Sequence, residues 1–368
     1  QGGSQPPKDE WLFEKQEGYI RMLQIRDFTQ SEKVVPEYVK ISKSTKICQA
    51  DDILIARYGA SIGKILTGLS GAYNVAIMRA IPDTHMLQKK YLYYYLKSPY
   101  FQTAILNVGS RAAQAGFNKE DLSKLEIKCP LLSEQDSIID ILQKVESIIG
   151  KRKKELIFLG ELVKARFVEM FGTLHDNENG FDIVTIEDVC SLIKDGTHQT
   201  PQYTEDKKEG YKFLSSKDVM SQKVDWTNIK YIPAELHEKL YATIKPQRND
   251  ILMSKNGVNY GVAAVNDTDE VFDIYVSLAL LRPKKIIDPV FLKCVINNPE
   301  TKWQFDSSIK GIGVPNLHLG EIKKTRMFLP PIELQNQFAD FVRAIDKSKV
   351  SLYYKNRKGG FSAIIVYI

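Results

Sequence analysis

Asp52-Ile53-Leu54-Ile55-Ala56-Arg57-Tyr58-Gly59-Ala60-Ser61-Ile62-Gly63 is the stretch that decides how this chain is organised. Asp250-Ile251-Leu252-Met253-Ser254-Lys255-Asn256-Gly257-Val258-Asn259-Tyr260-Gly261 repeats it. Five of the twelve positions are identical, and Arg57 is answered by Lys255. Average residue usage supplies roughly one such identity. Farther on, an offset of 200 aligns Pro99 with Pro299, Leu122 with Ile322, Pro130 with Pro330, Gln135 with Gln335, Asp140 with Asp340, Leu142 with Val342 and Val145 with Ile345. That period far exceeds the ~20–50 residues of a solenoid unit, so each copy is a domain with its own connector.

Each copy passes from short β-rich segments to helix. Asp52 to Ala56, Lys64 to Thr67 and Val75 to Ala80 read as strands between glycine turns, as do Asp250 to Met253, Gly261 to Val265 and Val276 to Leu281. Gln88 to Leu96 and Val290 to Ile296 read as helices stopped shortly before Pro99 and Pro299. A last strand, Leu125 to Cys129 or Thr325 to Leu329, precedes each connector. The expected class is a mixed α/β (α+β) fold.

The connector is strongly periodic. Ile138, Leu142, Val145, Ile149, Arg152, Leu156, Leu159, Val163, Arg166 and Met170 follow alternating four-three spacing, and eight of these ten are apolar. That is a coiled-coil seam on a helix from Glu134 to Phe171. Gly150 and Gly160 each cost such a helix about 1 kcal/mol, so it needs a packing partner. Phe338, Val342 and Ile345 fall at equivalent seam positions of the second copy. Two like helices in one chain can pack antiparallel, and the expected arrangement relates their domains by a pseudo-twofold axis.

Composition bounds the function. The 368 residues carry 43% hydrophobic and 26% charged side chains, the balance of a globular protein with more than one core. Cys48, Cys129, Cys190 and Cys294 are far apart with no Cys-x-x-Cys pair, which excludes a disulfide framework and zinc ribbons and fits buried thiols of a reducing compartment. The polar start and the lack of a long apolar run predict a cytoplasmic protein with no membrane partner. A net charge of +6 suits a polyanion partner without requiring one. There is no Walker-type loop, no Asn/Asp-Pro-Pro-Tyr/Phe element and no Gly-rich strand-to-helix turn, and the five histidines have no metal-ligand spacing, so neither catalytic nor metal-binding residues are expected.

Taken together, the residues resemble the specificity subunit of type I restriction-modification enzymes. The likeness rests on Gly2-Gly3-Ser4-Gln5-Pro6 beside Asp195-Gly196-Thr197-His198-Gln199-Thr200-Pro201, on the Asp-Ile-Leu strands, and on the loops entering Asn118-Lys119-Glu120-Asp121-Leu122 and Asn316-Leu317-His318-Leu319. It extends to Pro130-Leu-Leu-Ser-Glu-Gln135, Pro330-Pro-Ile-Glu-Leu-Gln335 and the Lys164 to Phe171 helix end. The resemblance implies two similar target-recognition domains joined by long antiparallel coiled-coil helices, each domain reading half of a bipartite duplex DNA site. It implies a non-catalytic subunit that binds no cofactor and joins two methyltransferase subunits and restriction motor-nuclease subunits, with S-adenosylmethionine, ATP and Mg on those partners.

The expected domains are residues 1–132, a central helix at 133–172, residues 173–332, and a second helix at 333–368. Two departures accompany this division. Phe181 to Lys194 precedes Gly196 with no counterpart before Gly2, an N-terminal strand that the first copy lacks. After Leu352 the seam gives way to Tyr353-Tyr354-Lys355-Asn356-Arg357-Lys358-Gly359-Gly360 and an apolar end, an atypical second helix.

Base reading needs paired donors and acceptors, and affinity needs cations at phosphates. Arg57, Tyr58, Ser61 and Lys64 in one repeat, and Lys255, Asn256, Asn259 and Tyr260 in the other, combine both around glycines that permit close backbone approach. The same segments also read as plain tight turns. Ser110, Arg111, Gln114 and Asn118, with Lys310, Asn316 and His318, are the next candidates, against a reading as capping loops. Thr197, His198 and Gln199 complete the set, against a reading as a solvated loop. Lys151 to Lys154 reads as a solvated face or a phosphate contact, and the tyrosines from Tyr91 to Tyr95 read as packing. A protein-binding scaffold whose domains no longer read DNA is the alternative function.

Overall fold

The computed structural model describes residues 1–30, 33–109, 116–309 and 315–358. Among the described residues the chain divides into two compact units, 1–153 with 352–358, and Lys154–Ser351.

The first unit contains β1 (Tyr19–Leu23), α1 (Ile25–Thr29), β2 (Tyr38–Lys40), β3 (Ile47–Cys48), β4 (Ile53–Ala56), β5 (Ile65–Leu66), β6 (Gly71–Tyr73), β7 (Ile77–Ala80), α2 (Lys89–Lys97), α3 (Pro99–Gly109) and α4 (Lys119–Leu122). Helix α5 (Leu132–Phe171) runs on from it. The second contains β8 (Asp182–Thr185), α6 (Ile186–Val189), β9 (Cys190–Asp195), β10 (Tyr211–Leu214), β11 (Lys230–Ile232), α7 (Ala234–Tyr241), β12 (Ile251–Ser254), β13 (Ala263–Val265), β14 (Phe272–Ile274), β15 (Leu278–Pro283), α8 (Pro289–Ile296), α9 (Pro299–Ser308), α10 (Leu319–Lys324) and β16 (Arg326–Leu329), and helix α11 (Ile332–Lys358) runs on from it.

The units share their wiring. β4 lies antiparallel between β5 and β7, as β12 does between β13 and β15. β1 is antiparallel to β2 and parallel to β6, as β10 is to β11 and β14. The repeated Asp-Ile-Leu motif supplies the central strand, and a period of two splits its side chains between two cores. Ile53 and Ile55 join Tyr95, Phe101, Ile105 and Phe117, whereas Leu54 and Ala56 join Leu23, Leu66 and Tyr73. Ile251 and Met253 likewise face one core and Leu252 the other. A strand buried on both faces carries the continuous apolar run seen here.

The aspartate that opens each motif turns the chain into that strand. The Gln49 N–H donates to Asp52 Oδ2 at 2.9 Å and the Gln247 N–H to Asp250 Oδ2 at 2.8 Å. An arginine from the neighbouring strand closes each turn, Arg79 at 3.0 Å from Asp52 and Arg282 at 2.8 Å from Asp250.

Fully buried Gln135 and Gln335 fix each long helix to its own domain. Gln135 Oε1 accepts from the Gln88 N–H at 2.8 Å, and its Nε2 donates to the carbonyls of Met86 and Pro130, each at 2.8 Å. Gln335 Oε1 accepts from the Asp288 N–H at 2.9 Å, and its Nε2 donates to Ile286 at 3.2 Å and Pro330 at 2.8 Å. The 200-residue offset therefore holds atom by atom.

Two sequence expectations change. Pro99 and Pro299 do not only end helices; each opens another, α3 and α9, because a proline at the first helical position gives up a donor that has no partner there. Leu125 to Cys129 is not a strand. Its counterpart β16 pairs with β8, and the described first unit has no segment equivalent to β8.

Helix α5 covers 40 residues, about 60 Å at 1.5 Å per residue. In the first unit Ile138, Ile139 and Leu142 pack with Tyr91 and Tyr94 of α2, Val145 is buried and Ile149 half-buried. Tyr91, Tyr94 and Tyr95 are core residues, as the packing reading expects. In the second unit Val163 and Phe167 share a core with Phe338 and Val342 of α11, with the Phe167 and Phe338 rings 5.5 Å apart. Leu156, Leu159 and Ile345 are half-buried.

Candidate nucleic-acid interface

In each unit four loops meet at one edge, and the backbone joins them. In the second, the Thr197 N–H donates to the Ile274 carbonyl at 3.1 Å and the Val276 N–H to Thr197 at 3.0 Å. The Lys255 N–H donates to Ser277 at 3.0 Å, the Leu317 N–H to Lys255 at 2.8 Å and the Gly257 N–H to Pro315 at 3.0 Å. In the first, the Ser4 N–H donates to Tyr73 at 3.0 Å and the Arg57 N–H to Ala76 at 2.8 Å, while Tyr58 bridges Gly116. Thus the glycine openings, the repeated turns and the loops before Asn118 and His318 come together in both copies.

Gly59, Gly63, Gly257 and Gly261 all have positive φ, between +67° and +85°, which is why the repeat keeps glycine there. The turns close identically. The Gly63 N–H donates to Ala56 at 2.9 Å and the Gly261 N–H to Ser254 at 2.7 Å.

Side chains on the two edges differ. In the first unit Arg57 Nε donates to the Phe117 carbonyl at 3.2 Å and Nη1 to Val75 at 3.3 Å, with the guanidinium 5.0 Å from the Tyr58 ring centre. Tyr58 and Lys64 are exposed and Ser61 is half-buried. Asn118 is exposed but its side chain caps α4, Oδ1 accepting from the Asp121 N–H at 2.9 Å. Ser110, Arg111, Gln114 and Lys310 lie outside the described residues.

In the second unit Lys255 is buried, and its Nζ lies 3.0 Å from Asp195 Oδ2. The same oxygen lies 3.2 Å from Nε2 of His198, whose ring is exposed. Tyr260 also turns inward: its hydroxyl donates to Asp306, and Lys302 Nζ sits 4.0 Å from its ring centre. Neither Lys255 nor Tyr260 presents its polar end to solvent as the sequence reading expects. A buried ammonium needs a counter-charge, which Asp195 supplies, and Tyr260 fills the core beneath the turn. Gln199, Asn259 and His318 are exposed, while Thr197 and Asn256 are half-buried. Thr197 Oγ1 accepts from the Gln199 N–H at 3.3 Å. Asn316 and His318 line a cleft of about 630 Å³ with Trp303, Gln304, Ser307 and Glu321.

Asp195 and Trp303, which is 70% exposed, escaped the sequence reading. Asp195 stands within the quoted Asp-Gly-Thr-His-Gln segment, and only the fold brings Lys255 to it. Lys151, Lys153 and Lys154 are exposed on α5. Among the described residues no group of three His, Cys, Asp or Glu could hold a metal ion, and no helix is long and apolar enough to cross a membrane.

A family model for the type I restriction modification DNA specificity domain matches residues 1–157 and again residues 178–357. The chain is 22% identical over 338 residues to the type I restriction enzyme MjaVIII specificity subunit of Methanocaldococcus jannaschii, covering 85% of this chain and 76% of that protein. It is 23% identical over 308 residues to the type I restriction enzyme EcoBI specificity subunit of Escherichia coli, covering 74% of this chain and 64% of the relative. The crystal structure of the type I restriction-modification S subunit from M. genitalium shares the fold, with a TM-score of 0.51 at 13% identity over 100% of this chain and 92% of that one.

Proposed function

We propose, from the premise that the chain belongs to the type I restriction modification DNA specificity family, that it reads a bipartite, asymmetric duplex DNA site, each domain taking one half. The observation that carries this reading is the four-loop edge, present twice on one hydrogen-bonded frame with different side chains. Equivalent frames give equivalent approaches to DNA, and different side chains give different half-sequences. The domains we assign are residues 1–132 and 173–332, with the helix at 133–172 and the second helix, from residue 333 to the last described residue at 358, as an antiparallel coiled-coil spacer in a pseudo-twofold arrangement; the expected remainder, 359–368, lies outside the described residues.

Arg57, Tyr58, Ser61 and Lys64 serve one half-site. Thr197, His198, Gln199, Asn256, Asn259, Asn316 and His318 serve the other. Lys255 and Tyr260 support their loop from beneath, and Asn118 shapes the loop it caps.

The chain itself is not the enzyme; separate subunits perform the chemistry. We assign it two methyltransferase subunits and restriction motor-nuclease subunits as partners, which carry S-adenosylmethionine, ATP and Mg, in the cytoplasm. Methylome sequencing of a host carrying the chain with its methyltransferase subunit tests the reading. The expected result is one split motif with adenine methylation in both halves. Partner binding without any motif overturns it in favour of a protein scaffold.

A further inference from the structure

The second edge holds a charge arrangement that the first lacks. Asp195 Oδ2 lies 3.0 Å from Lys255 Nζ and 3.2 Å from His198 Nε2. The Lys255 side chain is 5% exposed, that of Asp195 21% and that of His198 74%. The three groups thus run from the core to the surface, ending in an imidazole on the loop that the edge presents. In the first unit the position of Lys255 is held by Arg57, which donates to two backbone carbonyls, and Gly2 stands where Asp195 does.

From this geometry we infer that Asp195 is a positioning residue for base recognition, setting the His198 ring against one base pair of the second half-site. The inference rests on the reading of this edge as a DNA contact. The negative charge of Asp195, 3.2 Å from Nε2 as an ion-pair contact, favours the neutral ring form with hydrogen on that nitrogen over the other neutral form, which leaves Nδ1 as the acceptor. Such an acceptor matches the exocyclic amino groups of adenine or cytosine on the major-groove edge. Lys255 is what keeps the arrangement fixed. Among the described residues Asp195 is the carboxylate paired with this buried ammonium, and separating the two would carry a large desolvation penalty, so Asp195 stays in place whether or not DNA is bound. A ring held beforehand loses less freedom on binding than one that must be ordered.

The test uses the full chain with its methyltransferase subunit and a duplex library randomised over both half-sites. His198→Ala removes the reader, and its exposed ring makes the variant fold like the parent. Asp195→Ala alone would strand Lys255, so Asp195 is changed together with Lys255→Met, which removes both charges. Asp195→Ala/Lys255→Met deletes the acceptor, while Asp195→Asn/Lys255→Met keeps an amide oxygen in its place.

We expect His198→Ala and the alanine double variant to lose about fivefold to tenfold discrimination at the same single base pair of one half-site, with the other half unchanged. The asparagine double variant keeps an acceptor without its anchor and should fall between the parent and the alanine double variant, which loss of a merely structural ion pair would not allow. An unchanged profile for His198→Ala overturns the inference, and so does equal relaxation by both double variants. If the parent itself selects no split sequence, it is the underlying reading that fails instead.

Discussion

A methyl group added at Gly257 and one added at Gly261 demand different things of the same loop. Both residues have φ +85°, but among the described residues a Cβ at Gly257 meets nothing within 4 Å, whereas one at Gly261 comes within 2.9 Å of the Phe305 ring. Gly257→Ala should therefore cost only the left-handed strain, about 1 kcal/mol. Gly261→Ala adds a clash with a core aromatic and should cost about 2–3 kcal/mol; chemical denaturation of the two variants measures the difference. Asp52 offers a second test. Burial pushes its carboxyl up, yet the Gln49 N–H, Lys89 and Arg79 outweigh that and hold it below the ordinary range. A carboxyl lowered by folding stabilises the fold above its unfolded value, and that contribution disappears as pH falls through the folded one. Asp52→Asn should thus flatten the loss of stability below about pH 4, compared with the parent. At this scale the sequence marked Asp52, Gly59 and Gly63 as fixed points but could not say why, because each reason is a partner distant in the chain or a dihedral angle.

Helix α5 shows what periodicity conveys and what it omits. Its extent was legible from the four-three spacing, and so was the burial of Leu142 and Val145. That Tyr91 and Tyr94 of α2 meet the seam at Ile138 and Leu142 was not, since a heptad pattern specifies an apolar face and not the surface it meets. Gly150 and Gly160 lie inside the helix, and among the described residues beyond the helix's own backbone nothing comes within 4 Å of an added Cβ. Replacing both with alanine should stabilise the protein by about 1 kcal/mol each, read as a raised unfolding midpoint. Gln135→Ala would leave the Gln88 N–H and two carbonyls without their partner at a buried helix start. A loss of about 2–3 kcal/mol is expected by the same assay.

Over the whole molecule, duplication was the most informative signal, because one matched pair of motifs located two central strands and two glycine turns, and the 200-residue offset located two helix starts. The candidate site was less legible. Lys255 and Arg57 look interchangeable in sequence, yet one is buried against a carboxylate and the other reaches backbone carbonyls. Lys64 is exposed, so Lys64→Ala should weaken binding across all sequences and reduce the salt slope by about one, as measured by titration on duplex DNA. Inserting seven residues, about two turns, between Lys151 and Leu162 should alter the tolerated gap between half-sequences without changing either of them, and methylome sequencing would display the new gap. The paired glutamines carry one more consequence. Because Gln135 and Gln335 grip the same three backbone groups in the same order, a domain grafted from one copy into the other's place would find its socket already cut. Either domain, moved so, should seat on its new helix through these same three bonds.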